Sequence, residues 1–196
     1  EYSKFNEENK RTLSIFRVLY LIKDLCIKYK CPAFFSGDFM HRPEYISTSL
    51  DEIIIEQFEE LNRCEEFNIY GISGNHDFQK SNSIDRRSPS HWANLCNRYS
   101  FLHNLDFSYH EFDKFRVVGI PYLDHNKGLD TLIKAQMKKA MLKPTILLLH
   151  TDYPGAKDTD NTEVGTVENL NVNLLSKFKL VLLGHLHKSQ RLGKKI

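Results

Sequence analysis

The sequence predicts an α/β fold, and three features predict it. Short apolar runs such as residues 67–72 and 145–149 are continuous, not alternating, as in strands covered on both faces. Segments with an apolar period near 3.6 residues lie between several of these runs, which is the signature of intervening helices. The 196 residues, 41% hydrophobic and 27% charged, suit one globular domain with a sizeable core.

Each element follows in order. Residues 9–30 place Leu13, Phe16, Leu19, Tyr20, Ile22 and Leu25 at helical spacing. Residues 32–35 read as a short buried strand that ends at Ser36-Gly37-Asp38. A second amphipathic helix covers 50–64, with Ser47, Thr48 and Ser49 as candidate caps. Residues 67–72 form another strand, stopping at Gly74. Pro89 after Ser88 fits the first turn of a helix that runs to Tyr99. Strands at 115–122 and 145–149 are separated by a helix around 129–142, and a polar loop, 152–168, precedes a last strand at 180–183.

Composition excludes several classes. A net charge of +2 does not mark a nucleic-acid binder, so any basic surface must be local. Candidates are Arg86 with Arg87, the group Lys138, Lys139 and Lys143, and the tail Lys188, Arg191, Lys194 and Lys195; such runs are read as solvated faces. Cys26, Cys31, Cys64 and Cys96 have neither C-x-x-C nor zinc-ribbon spacing, and Cys26 lies in an apolar helical pattern where a buried thiol is expected. A reducing, cytoplasmic compartment is therefore expected, for a cellular or a phage-encoded protein alike. No apolar run is long enough to span a bilayer and no signal peptide is visible.

Four polar clusters sit directly after strands: Gly37-Asp38, Gly74-Asn75-His76-Asp77, His150, and Gly184-His185-Leu186-His187. Ligand sites in open α/β sheets gather beyond the carboxyl ends of strands, so the four clusters are expected to share one crevice. Their residue types suit divalent cations. A carboxylate such as Asp38 can bridge two ions, Asn75 offers a neutral amide oxygen, and the imidazoles of His150, His185 and His187 favour manganese, iron or zinc over magnesium or calcium. His185 and His187 are two apart, so in an extended segment they face the same way.

This arrangement, from Pro32 to His187, resembles the calcineurin-like metallophosphoesterase superfamily. The resemblance implies a four-layer α-β-β-α sandwich, two packed sheets flanked by helices, and two divalent cations. Manganese is favoured, with iron, zinc or magnesium admissible. It assigns Asp38 as bridging ligand, Asn75, His150 and His185 to one metal, and His187 to the other. His76 is assigned to the scissile phosphate as transition-state stabiliser or leaving-group acid. The metals would neutralise phosphate charge and generate hydroxide near neutral pH. The superfamily opens with a strand ending in Asp-x-His, and nothing in residues 1–30 matches it. The domain, 1–196, is thus expected to lack that strand and the C-terminal part.

His41 lies three residues after Asp38, the offset at which SbcD-like double-strand-break-repair nucleases carry a second catalytic histidine; Gly74-Asn75-His76-Asp77 matches them too. The Asp-Arg-Gly of protein serine/threonine phosphatases does not follow Gly37. The implied function is hydrolysis of DNA by an exo/endonuclease subunit working with an SbcC-like coiled-coil ATPase, with a homodimer admissible and no membrane contact. Two other readings stay open: a phosphoesterase acting on nucleotides or small phosphate esters, and a non-catalytic binding module of the same fold. His91, His103, His110 and His125 lack ligand spacing and read as structural or exposed. Asp77 is expected to brace the loop, and Asp152 either holds His150 or starts a turn.

Overall fold

The computed structural model describes residues 7–39, 48–78, 90–123, 128–140, 143–163, 170–192 and 196. The apolar runs build two sheets. The first is parallel, in the order β1 (Ala33–Phe35), β2 (Ile69–Gly71), β3 (Leu102–Asn104). The second runs β4 (Tyr109–Glu111), β5 (Arg116–Ile120), β6 (Thr145–His150), β7 (Leu180–Gly184), with β4 antiparallel to β5 and the other pairs parallel. The helices are α1 (Glu7–Tyr29), α2 (Thr48–Asn62), α3 (His91–Arg98), α4 (Leu129–Ala140) and the single turn α5 (Val172–Leu175).

Strand alternation sorts the side chains into layers. Phe34, Tyr70, Val117, Ile146, Leu148 and Leu182 meet in a core between the two sheets. On the far side of the first sheet, Phe35 and Ile69 pack with Phe16 and Cys26 of α1, Phe58 and Leu61 of α2, and Trp92 of α3. Beyond the second sheet, Val118, Ile120, Leu147, Leu149 and Val181 pack with Leu129 and Ile133 of α4 and Leu175 of α5. The result is the expected four-layer α-β-β-α sandwich. Each β6 residue has a partner on one face or the other, which is why its sequence is apolar without alternation.

Local chemistry sets the element ends that aim chain at the site. At the end of α1, Lys30 takes φ 50°, its N–H donates to the Ile27 carbonyl, and the Cys31 N–H donates to the Cys26 carbonyl at 3.1 Å. That Schellman closure turns the chain directly into β1. Ser90 caps α3, its Oγ accepting from the Ala93 N–H at 3.0 Å; Pro89 and Ser47 lie outside the described residues, as do Arg86, Arg87, His125, Lys194 and Lys195.

The structure adds elements that periodicity did not suggest. β3 and β4 have three residues each, carry His103, Asn104, His110 and Glu111, and are too short and polar to read as strands. His103 instead stacks on Tyr70, ring centroids 4.3 Å apart, and the His110 ring lies tilted against it at 4.5 Å, both in a structural role. The four cysteines are free thiols, and Cys26 is buried as expected. Among the described residues no helix is long and apolar enough to cross a membrane.

On β5, Gly119 lies against the chain that follows β2 and β3. A Cβ there would overlap the Leu105 carbonyl oxygen and lie 2.6 Å from a methyl of Ile72. Gly119→Ala is therefore expected to lower the free energy of unfolding by about 1–3 kcal/mol, the usual cost of overpacking. Ile15→Ala, on the exposed face of α1, should change it by less than ~0.5 kcal/mol. Urea titration of both variants checks this; equal stabilities would contradict the tight apposition of the sheets.

Candidate metal centre

β1, β2, β6 and β7 present their carboxyl ends on one side, and the polar clusters follow from there. Ser36-Gly37-Asp38 leaves β1, the 3₁₀ turn Asn75–Asp77 follows β2, His150 is the last residue of β6, and His185 follows Gly184 of β7. The ligand atoms of Asp38, His150 and His185 lie within 4.8 Å of one another. Asn75 joins them, with its Oδ1 2.9 Å from both His150 Nε2 and His185 Nδ1.

Outer contacts decide which nitrogen each imidazole turns inward. His150 Nδ1 is 2.7 Å from the Ser36 carbonyl oxygen, which can only accept, so Nδ1 carries the proton and Nε2 faces the cluster. Nε2 is 3.4 Å from Asp38 Oδ2 and 3.2 Å from His185 Nδ1. Three glycines make this crossing close enough. A Cβ on Gly37 or on Gly184 would collide with His150 Nδ1, the latter also with the Ser36 oxygen, and a Cβ on Gly74 would collide with Asp38. Gly37 also takes φ 98°, which only glycine adopts without strain.

The loop that holds Asp38 and Asn75 is organised by Asp77, which is fully buried. Its Oδ2 accepts from the Asp38 N–H at 2.9 Å and from the Gly74 N–H at 2.7 Å. The His76 N–H in turn donates to Asp38 Oδ1 at 2.9 Å. Next to it, the half-buried carboxylate of Asp106 accepts from the Ser73 N–H and hydroxyl, and Ser73 Oγ is 2.5 Å from Ser90 Oγ. Asp38 and His185 have positive φ, 62° and 100°, and such strain in non-glycine residues persists where surrounding contacts over-determine the backbone.

Charge balance follows. Burial alone would raise the Asp38 carboxyl, but the adjacent His150 ring and the hydrogen bond from the His76 N–H hold it below its ordinary value. Burial pushes the His185 imidazole below its ordinary value, with His150 adding to the effect and Asp152 opposing it. Burial raises Asp106, and the nearby Asp77 raises it further.

Whether these residues fit a cation is a question of distances and lone pairs. With the outer nitrogens protonated, Asp38 Oδ2, Asn75 Oδ1, His150 Nε2 and His185 Nδ1 are four acceptors facing one another. A cation with bonds of about 2.1 Å sets neighbouring donor atoms about 3.0 Å apart in an octahedron and about 3.4 Å apart in a tetrahedron. The observed separations, 2.9, 2.9, 3.2 and 3.4 Å, span that interval. The donor set fits a divalent cation, and two imidazoles suit manganese, iron or zinc.

Of the residues singled out in the sequence, Asp38, Asn75, His150 and His185 are brought together, and His76 is tied to Asp38 through its backbone. His187 is exposed and is not one of the clustered ligands among the described residues. His41 lies outside the described residues. Asp152 does not meet His150; its Oδ1 is 3.4 Å from His185 Nε2. Sequence reasoning missed Tyr122, whose ring lies 6.1 Å edge-on to His150 and 6.2 Å nearly parallel to His185. The signal was present, because Tyr122 ends an apolar run as His150 does.

The shifts of Asp38 and His185 give pH the same sign of effect. The folded state binds fewer protons than the unfolded chain, so stability rises with pH. His185 contributes fully above its ordinary value of 6.5 and loses its contribution as pH falls below that, toward its lower folded value. Asp38 contributes above its ordinary 3.8 and loses it as pH falls through its lower folded value. In chelator, the urea midpoint is therefore expected to be lower at about pH 5.5 than at about pH 7.5, and His185→Gln should reduce that difference. A midpoint that rises on acidification would contradict the half-buried, neutral imidazole.

Comparison with known proteins agrees with this geometry. No curated protein sequence matches the chain. The profile of the family described as calcineurin-like phosphoesterase matches residues 13–189, which include all four clusters. The chain therefore belongs to the calcineurin-like phosphoesterases, a family of metal-dependent hydrolases of phosphate esters.

Proposed function

We propose that this phosphoesterase hydrolyses phosphodiester bonds of DNA, as the exo/endonuclease subunit of an SbcCD-like complex. The observation that carries the reading is His41, three residues after Asp38, together with the run Gly74-Asn75-His76-Asp77. In this reading Asp38, Asn75, His150 and His185 hold one divalent cation, manganese by preference, and His187 with Asp38 serves a second. A cation so held neutralises phosphate charge and makes water a nucleophile near neutral pH. His76 follows Asn75 directly, and its N–H is fixed to Asp38 Oδ1, so its backbone is anchored to the ligand set. From there it stabilises charge on the phosphoryl oxygens or protonates the departing oxygen, and His41 orients the same phosphate. DNA and an SbcC-like coiled-coil ATPase are the partners proposed, and a homodimer is the assembly to test.

One observation favours a different substrate. The net charge of +2 leaves the phosphate backbone of DNA little general attraction, which suits a nucleotide or a small phosphate ester instead. A substrate panel separates the two readings: supercoiled and linear DNA against p-nitrophenyl phosphate and bis-p-nitrophenyl phosphate, each with Mn²⁺ and with chelator. DNA cleavage dependent on Mn²⁺ is the expected result. His76→Ala should lower the rate on every substrate by about a hundredfold or more with little change in metal affinity. His41→Ala should cripple DNA cleavage while metal content stays normal. Hydrolysis of p-nitrophenyl phosphate alone would replace the nuclease reading with the small-ester one, and DNA cleavage untouched by His41→Ala would make His41 a loop histidine and remove the main support for the SbcD-like assignment.

A further inference from the structure

The loop after β6 carries a carboxylate that the ligand cluster does not account for. Asp152 lies two residues beyond His150, and its Oδ1 is shielded from solvent without a well-aligned hydrogen-bond partner. His185 Nε2 lies 3.4 Å from it. That is close enough for an ion pair and slightly long and misaligned for a hydrogen bond. The opposite ring nitrogen, His185 Nδ1, sits 2.9 Å from Asn75 Oδ1 and 3.2 Å from His150 Nε2. The backbone of His185, at φ 100°, is strained, so contacts on the ring and not backbone preference hold it in place.

We propose that Asp152 is the positioning residue of His185: its negative carboxylate, facing Nε2 at ion-pair distance, draws the ring proton to that nitrogen and so presents the Nδ1 lone pair to the cation. This rests on the cation-binding reading of the cluster. The reverse tautomer would set a nitrogen lone pair against a carboxylate oxygen, which is repulsive. The two imidazoles are then anchored from behind by different groups, His150 by the Ser36 carbonyl and His185 by a carboxylate. A carboxylate makes the ring a more basic ligand and adds negative charge near the cation. One turn of chain, His150-Thr151-Asp152, thus supplies both a ligand and the group that orients another.

The test reads the tautomer directly and the metal separately. In the full chain without metal, long-range ¹H–¹⁵N correlation should show His185 protonated on Nε2. Asp152→Ala should move that proton to Nδ1 or mix the two forms, and Asp152→Asn, which keeps an acceptor oxygen, should restore the original tautomer. Calorimetric titration with Mn²⁺ should show affinity weakened about 10–100-fold in Asp152→Ala and less in Asp152→Asn. If the Ala variant does not fold, Asp152→Ser, a turn former too short to reach His185, takes its place. An unchanged tautomer in a folded variant overturns the proposal, whatever the affinity does. A tautomer that shifts in a protein that binds no Mn²⁺ leaves the positioning role intact and defeats the cation reading instead.

Discussion

The hydrogen bond from His150 Nδ1 to the Ser36 carbonyl is the constraint on which the rest of the site depends. It crosses from the second sheet to the first, joining the end of β6 to the end of β1. It requires three backbones to approach more closely than any side chain allows, hence Gly37, Gly74 and Gly184. It also fixes the histidine's tautomer, because a carbonyl oxygen can only accept. The inward Nε2 then faces Asp38, Asn75 and His185, each on a different strand end. A loosened crossing would disperse the ligands, although every ligand residue remained.

The remaining order is supplied by carboxylates that touch backbone, not cation. Asp77 ties the β1 and β2 loops through two N–H groups, and Asp106 holds the β2 loop one residue earlier through Ser73. Two neighbouring carboxylates, one buried and one half-buried, are unfavourable, and the raised Asp106 reflects loss of solvent first and the nearby Asp77 as the second raising cause. The hydrogen bonds they accept offset that cost, since charge-assisted bonds to backbone are roughly twice as strong as neutral ones. The strained φ values at Asp38 and His185 belong to the same economy of local stability given up for ligand placement.

Much of this was legible in the sequence, for identifiable reasons. The α/β class followed from continuous apolar runs, and the clustered Asp38, Asn75, His150 and His185 were singled out as polar residues placed where those runs stop, whereas His187, singled out with them, lies exposed outside the cluster. The partition into two sheets was not legible, because Phe34 and Phe35 are equally apolar yet face different cores. β3 and β4 were hidden by their polar residues and three-residue length. Ser36 acts through its carbonyl, which leaves no trace in residue type. Asp152 was noticed for its distance from His150 in the chain, whereas its partner, His185, is set by the β6–β7 pairing. Asp77 was expected to brace the loop, but its bond to the Asp38 N–H spans two loops that only the fold brings together.

The central claim is that the strand ends converge to bind a divalent cation through four named atoms. Anomalous diffraction from crystals of the protein equilibrated with Mn²⁺ tests it most directly. The account predicts a manganese peak bonded, at about 2.0–2.3 Å, to Asp38 Oδ2, Asn75 Oδ1, His150 Nε2 and His185 Nδ1. A peak bound by other residues, or none between these four at saturating Mn²⁺, would contradict it.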